Sequence, residues 1–221
     1  MKKLILLSIL LIVGCDNSTE PEPQDCAGVA GGNAVEDCAG ICGSIENVEL
    51  FGICYNIASS DTLLINGGNT FLGELPQENG LFNNLIYLQI SNLQLTTIPE
   101  SIGELTKLEI LLITLNQISS IPESIGNLSN LKRLWLWSNQ LTSLPESIVN
   151  LHNLEYLNVM NNQLTTLPES MCNLSIDWSG VNENADPMNA DYDYFDASNN
   201  FICGELPSCL TTEDIGEQDC P

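Results

Sequence analysis

The chain has 221 residues, room for one domain or for one solenoid with additions at its ends. It carries 29 acidic residues against five basic ones, a formal net charge of −24, and every acidic residue follows position 14. Such a surface repels nucleic acid and anionic membranes, and it is compatible with divalent cations or basic partners.

The first stretch, MKKLILLSILLIVGC, reads as a targeting segment, with Lys2 and Lys3 as the charged start and Leu4 to Val13 as an apolar run too short to span a membrane. Its end, Ile12-Val13-Gly14-Cys15, resembles the lipobox of bacterial lipoproteins. That resemblance implies a signal peptide over 1–14, cleavage before Cys15, and acylation of the Cys15 thiol. The lipid would anchor an exported protein to a membrane of the bacterial envelope or surface without a spanning helix. Residues 15–24 then form the lipidated cysteine and a polar, proline-containing tether.

The cysteine count supports export. Of nine cysteines, Cys15 goes to lipid. The other eight fall in two groups: Cys26, Cys38, Cys42 and Cys54, then Cys172, Cys203, Cys209 and Cys220. Exported chains keep such thiols as disulfides, expected here within each group, with three pairings open in each. No paired C-x-x-C spacing argues for zinc. Within the first group, DCAGVAGG (25–32) and DCAGICGS (37–44) form a repeat of period twelve. They resemble the Asp-Cys-Gly spacers of secreted proteins from marine bacteria. Residues 25–62 are therefore expected to be this repeat plus an N-terminal cap, with VELFGICYNI (48–57) covering the first core layer.

The central signal is stronger. Pro76, Pro99, Pro122, Pro145 and Pro168 are each 23 residues apart, a period that means a solenoid. The full units are LIYLQISNLQLTTIPESIGELTK (85–107), LEILLITLNQISSIPESIGNLSN (108–130), LKRLWLWSNQLTSLPESIVNLHN (131–153) and LEYLNVMNNQLTTLPESMCNLSI (154–176). Leu134 and Leu136 point to one side of a short strand, while Leu141, Leu144, Ile148 and Leu151 turn the chain back over the same core. One unit cannot bury these side chains alone, so units must stack and their strands form a parallel sheet.

The shared form LxxLxLxxNxLxxLPxxIxxLxx resembles the 23-residue leucine-rich repeat, over roughly 63–210. The fold class implied is an α/β-type solenoid, an arc with a short-stranded parallel sheet on its concave face and disulfide-stapled caps. The resemblance also implies that Asn116, Asn139, Asn162 and Asn200 form a ladder of buried amides bonded to backbone, with Leu93 standing where the first full unit should have its Asn. Degenerate units flank the array. LLINGGNTFLGELP (63–76) places Asn66 in a slot that should be apolar, and YFDASNNFICGELP (194–207) follows an insertion at about 177–193. Residues 211–221 are left as a cap tail.

Catalysis finds little support. His152 is the single histidine and falls in a turn slot, no nucleophile–base pair is evident, and no cofactor motif appears. The outward sheet positions are more informative. They align as Tyr87, Ile110, Arg133, Tyr156; as Gln89, Leu112, Trp135, Asn158; and as Ser91, Thr114, Trp137, Met160. Trp135 and Trp137 are expected to be exposed beside Leu112, Tyr156 and Met160, a patch of the residue types enriched at binding sites. The expected function is recognition of a protein or peptide by Tyr87, Leu112, Arg133, Trp135, Trp137, Tyr156, Asn158 and Met160. The alternative is a carbohydrate stacked on Trp135, Trp137 and Tyr156, with Asn158 and Asp196 bonding its hydroxyls. Asp186, Asn189, Asp191, Asp193 and Asp196 also offer oxygen atoms to calcium, although their spacing matches no EF-hand.

Overall fold

The computed structural model describes residues 47–50, 53–56, 61–66, 82–176, 178 and 194–220. All of them lie in the second of the two units into which the chain divides, Ile45–Pro221. Strands β1 (Asn47–Leu50) and β2 (Ile53–Asn56) form an antiparallel hairpin. Cys15, Cys26, Cys38 and Cys42, the side chain of Cys54, and the capping role expected of 48–57 lie outside what is described.

Six further strands make one parallel sheet in sequence order: β3 (Thr62–Asn66), β4 (Tyr87–Ser91), β5 (Ile110–Thr114), β6 (Arg133–Trp135), β7 (Tyr156–Asn158) and β8 (Tyr194–Asp196). Alternation sets the core. Leu88 and Ile90, Leu111 and Ile113, Leu134 and Leu136, Leu157 and Val159, and Phe195 and Ala197 are all buried on one side of the sheet. Opposite them each unit returns through a five-residue 3-10 helix: Glu100–Glu104, Glu123–Asn127, Glu146–Asn150 and Glu169–Asn173. Among the described residues the side opposite the sheet is made of these turns, with no α-helix. A proline precedes each one, its fixed φ near −70° suiting an extended residue at a helix start. Ile102, Ile125, Ile148 and Met171 then point inward.

Register in the first unit differs from the proline period. Thr62 pairs with Tyr87 and Ile65 with Ile90, so this strand sits two residues earlier than the prolines predict. Leu63 and Ile65 are buried and Leu64 is 53% exposed. Asn66 therefore faces outward beside Ser91, and no apolar slot is broken. The alternation of Leu63 and Ile65 decided the register over the proline spacing.

Buried amides join successive units. Asn139 Oδ1 accepts from Ile118 N at 3.2 Å, and its Nδ2 donates to Ile113 O at 2.8 Å and Leu136 O at 2.9 Å. Asn162 and Asn200 repeat that pattern on Leu141 N and Leu164 N. Asn116 Oδ1 accepts from both Leu93 N and Leu95 N, so the unit lacking its own Asn still has these amides satisfied. The sequence reading missed the last rung. Gln218 Oε1 accepts from Ile202 N at 3.2 Å, and its Nε2 donates to Ala197 O and Ile215 O, both at 2.9 Å. Ile215, 2% exposed, and Gln218 thus copy the spacing of Leu136 and Asn139, and the tail ends the solenoid as a partial turn. The C-terminal cysteines pair as Cys172–Cys209 and Cys203–Cys220.

A second ladder explains part of the acidity. Glu100 accepts from Ser124 N at 3.3 Å and Glu123 from Ser147 N at 3.1 Å, each carboxylate capping the 3-10 helix of the next unit. Gly126 permits this approach, since a Cβ there would lie 2.6 Å from Ser147 O. In the following unit Val149 stands in the glycine slot. There Glu146 is reached by the Ser170 hydroxyl, at 2.9 Å.

Candidate partner-binding face

The outward face of β4–β7 is fixed by backbone pairing. Tyr87, Ile110, Arg133 and Tyr156 are in register, as are Gln89, Leu112, Trp135 and Asn158, and Ser91 pairs with Thr114. Trp137 and Met160 follow β6 and β7 by two residues, continuing the third row. Because alternate residues share a face, the repeat period itself brings these side chains together.

Their environments differ from the expected open patch. Trp135 is 2% exposed, Tyr156 9% and Asn158 7%. The rings of Trp135 and Tyr156 meet edge to face with centroids 5.1 Å apart, and Ile110, Leu112 and Trp137 pack around them half-buried. Trp135 thus belongs to a small second core on the outer face, where large aromatic area is removed from water. Trp137, Met160, Leu112, Arg133 and Tyr87 remain half-buried and accessible. Tyr87 donates to Gln89 Oε1 at 3.0 Å, and Gln89 Nε2 donates to Asn66 Oδ1 at 3.1 Å. The Ser91 and Thr114 hydroxyls lie 2.9 Å apart.

Burial raises the Tyr156 phenol above its ordinary 10.0; the Trp135 and Asn158 side chains oppose this, Asp196 adds to it and Arg133 opposes it. Trp135 Nε1 is buried and makes no hydrogen bond of ordinary distance and angle among the described residues. Its effect on the phenol is therefore that of a nearby donor. Burial likewise raises Tyr87.

The sugar-binding arrangement does not assemble as expected. The Trp135 and Tyr156 rings are closed off by each other and their neighbours. Asn158 Oδ1 accepts from Met160 N at 3.1 Å, and Asp196 Oδ1 accepts from Ser198 N and Oγ at 2.9 and 2.7 Å. Asp186, Asn189, Asp191 and Asp193 lie outside the described residues. Among the described residues no group of three or more His, Cys, Asp or Glu is placed to hold a metal ion. His152 is exposed in its turn.

Two further residues escaped the sequence reading. Trp178, from the insertion, packs on the main core with its ring 5.0 Å from Phe195. Leu115 is 48% exposed with φ of 56°, at the left-handed position that other units fill with Asn92, Ser138, Asn161 and Asn199. The signal for Leu115 was available, as the one large apolar residue in that column.

Stacked parallel strands, one buried face, and asparagine rungs at the strand exits meet in the segment 129–170. That segment matches the family model for leucine rich repeats in two copies. The fold of the central segment is that of a leucine-rich-repeat solenoid. None of the curated proteins matches the chain. Among solved structures, an LRR protein of Leptospira interrogans is 30% identical over 54% of this chain and 36% of that one, with a TM-score of 0.44. A TDR receptor is 38% identical over 51% and 21%, at 0.45. The LRR ectodomain of a receptor kinase from Arabidopsis thaliana is 33% identical over 51% and 64%, at 0.44. The chain spans less than two thirds of the length of each.

Proposed function

We propose that this leucine-rich-repeat protein is exported, held to a membrane by lipid on Cys15, and binds a protein or peptide across the outward face of its sheet without catalysing a reaction. The observation that carries the binding reading is the half-exposed group of Ile110, Leu112, Trp137 and Met160 beside buried Trp135 and Tyr156. Preorganised apolar groups beside polar ones suit a partner whose ordering cost is low. Export is supported by the leader and by the disulfides Cys172–Cys209 and Cys203–Cys220, which persist in oxidising compartments. The burial of Trp135 moves the contact role to Trp137 and makes Trp135 its support.

The test is a photo-crosslinking residue placed at position 137 in native cells, read by mass spectrometry. A dominant adduct to a second protein or peptide is expected. Adducts confined to the chain itself would remove the face from the binding role.

A further inference from the structure

We propose that Arg133 anchors a single carboxylate on an extended, otherwise uncharged peptide that runs along β6 toward Trp137; this deepens the peptide-binding reading and rests on it. The other two cations among the described residues are engaged: Lys107 Nζ donates to Asn84 Oδ1 at 2.8 Å, and Lys132 Nζ pairs with Glu109 Oε2 at 2.8 Å. Arg133 is half-buried and makes no hydrogen bond or ion pair among those residues. The whole chain holds 29 carboxylates, yet none among the described residues comes within ion-pair reach of this guanidinium. A guanidinium half withdrawn from water loses hydration that no hydrogen bond or ion pair among the described residues replaces. Its planar fork matches a carboxylate with two parallel hydrogen bonds, a geometry an ammonium does not offer.

The setting favours such a ligand. Arg133 is fixed in the sheet between Ile110 and Tyr156, at a groove of about 320 Å³ lined by Glu109, Ile110, Lys132, Arg133 and Glu155. Lys132 neutralises Glu109. Glu155 lines the same groove, and the chain as a whole carries a net charge of −24, so a run of acidic residues is repelled while one carboxylate is accepted. Charges elsewhere on the surface are screened beyond roughly 8 Å at physiological salt.

At the far end an apolar contact is prepared. Trp137 and Met160 are half-exposed, and Leu115 N bonds Trp137 O at 3.2 Å, which places the exposed Leu115 beside them. A leucine held in left-handed backbone is strained, and exposure denies it any return from the core, so its use is contact with a ligand. Four residues separate Arg133 from Trp137, roughly 13 Å at about 3.3 Å per extended residue. An extended peptide covers that distance in about four residues, carboxylate first and apolar side chain last.

The experiment uses the full chain and two libraries of short peptides, one with Glu fixed four residues before a Leu, the other with Gln replacing that Glu. The wild type should favour the Glu library by about tenfold or more, the size of a charge-assisted pair. Arg133→Gln should abolish the preference while leaving the melting temperature unchanged. Arg133→Lys should restore only part of it. Equal binding of both libraries by the wild type, or a preference that survives in Arg133→Gln, overturns the assignment of Arg133. Failure of both libraries to bind the wild type overturns the peptide-binding reading itself, and this inference with it.

Discussion

The two ends of the outward sheet face share one backbone and differ in what their side chains leave unused. On β3 and β4, Asn66, Tyr87 and Gln89 are hydrogen-bonded to one another. On β5 to β7, in the same registers, Ile110, Leu112, Trp135 and Tyr156 pack with Trp137 as an apolar cluster. The polar half satisfies itself, so a partner there would have to replace bonds already made, for little net gain. The apolar half still exposes area that a partner can take from water. A repeat therefore fixes where a side chain stands, and the residue in that slot decides whether it is spent internally or offered outward.

Trp135 and Trp137 give the sharpest way to break this contrast. Trp135→Ala should destabilise the protein by about 3 kcal/mol, because it empties a buried aromatic site. Trp137→Ala, at a half-buried position, should cost about 1 kcal/mol or less in stability while weakening partner binding by about 2 kcal/mol. Urea denaturation and a binding titration separate the two. Equal losses of stability would show that both tryptophans are core and that the apolar half offers nothing outward.

A smaller effect is expected at Leu115. Leu115→Asn relieves a φ of 56° that Asn tolerates, and should raise stability by up to about 1 kcal/mol while reducing partner affinity. Gain in stability with no loss of affinity would leave Leu115 outside the contact surface.

The smallest effect compares the tyrosines of the two halves. Burial raises the pKa of Tyr87 and, against opposing neighbours, of Tyr156 above 10.0. A raised phenol keeps its proton in the folded state after the unfolded chain has lost it. Stability is therefore unaffected below the unfolded pKa, falls as pH rises through about 10, and levels once the folded phenols ionise. Chemical denaturation between about pH 9 and 11 should show this slope in the wild type and a shallower one in Tyr156→Phe and Tyr87→Phe. A slope identical in all three proteins would mean that neither phenol is withdrawn from water.

Much of the array was legible because its signals are local. The alternating leucines of each strand, the proline before each 3-10 turn and the asparagine at each strand exit recur at one spacing, and each position can be argued from its own chemistry. The first unit shows the limit of that method. Reading an exit asparagine into the pattern of residues 63–76 put Asn66 in the core, whereas pairing of Ile65 with Ile90 put it outside. Burying Leu63 and Ile65 mattered more to the strand than keeping the period. The end of the array was missed for a related reason. Gln218 replaces an asparagine with a longer amide in a tail that carries no leucine pattern, and its role exists only through the three backbone groups it meets.

Sequence alone determined the repeat, the face on which each outward residue of the four full units stands and the grouping of the C-terminal cysteines, because each follows from the spacing of residues; the asparagine rungs followed from the resemblance to leucine-rich repeats. Tertiary structure alone decided which C-terminal cysteines pair, which tryptophan is buried, that the proline-turn glutamates cap their neighbours, and that Arg133 is left without an ion-pair partner among the described residues. Those depend on contacts between residues 17 or more positions apart. Side-chain packing across units sets such contacts, and periodicity does not encode it.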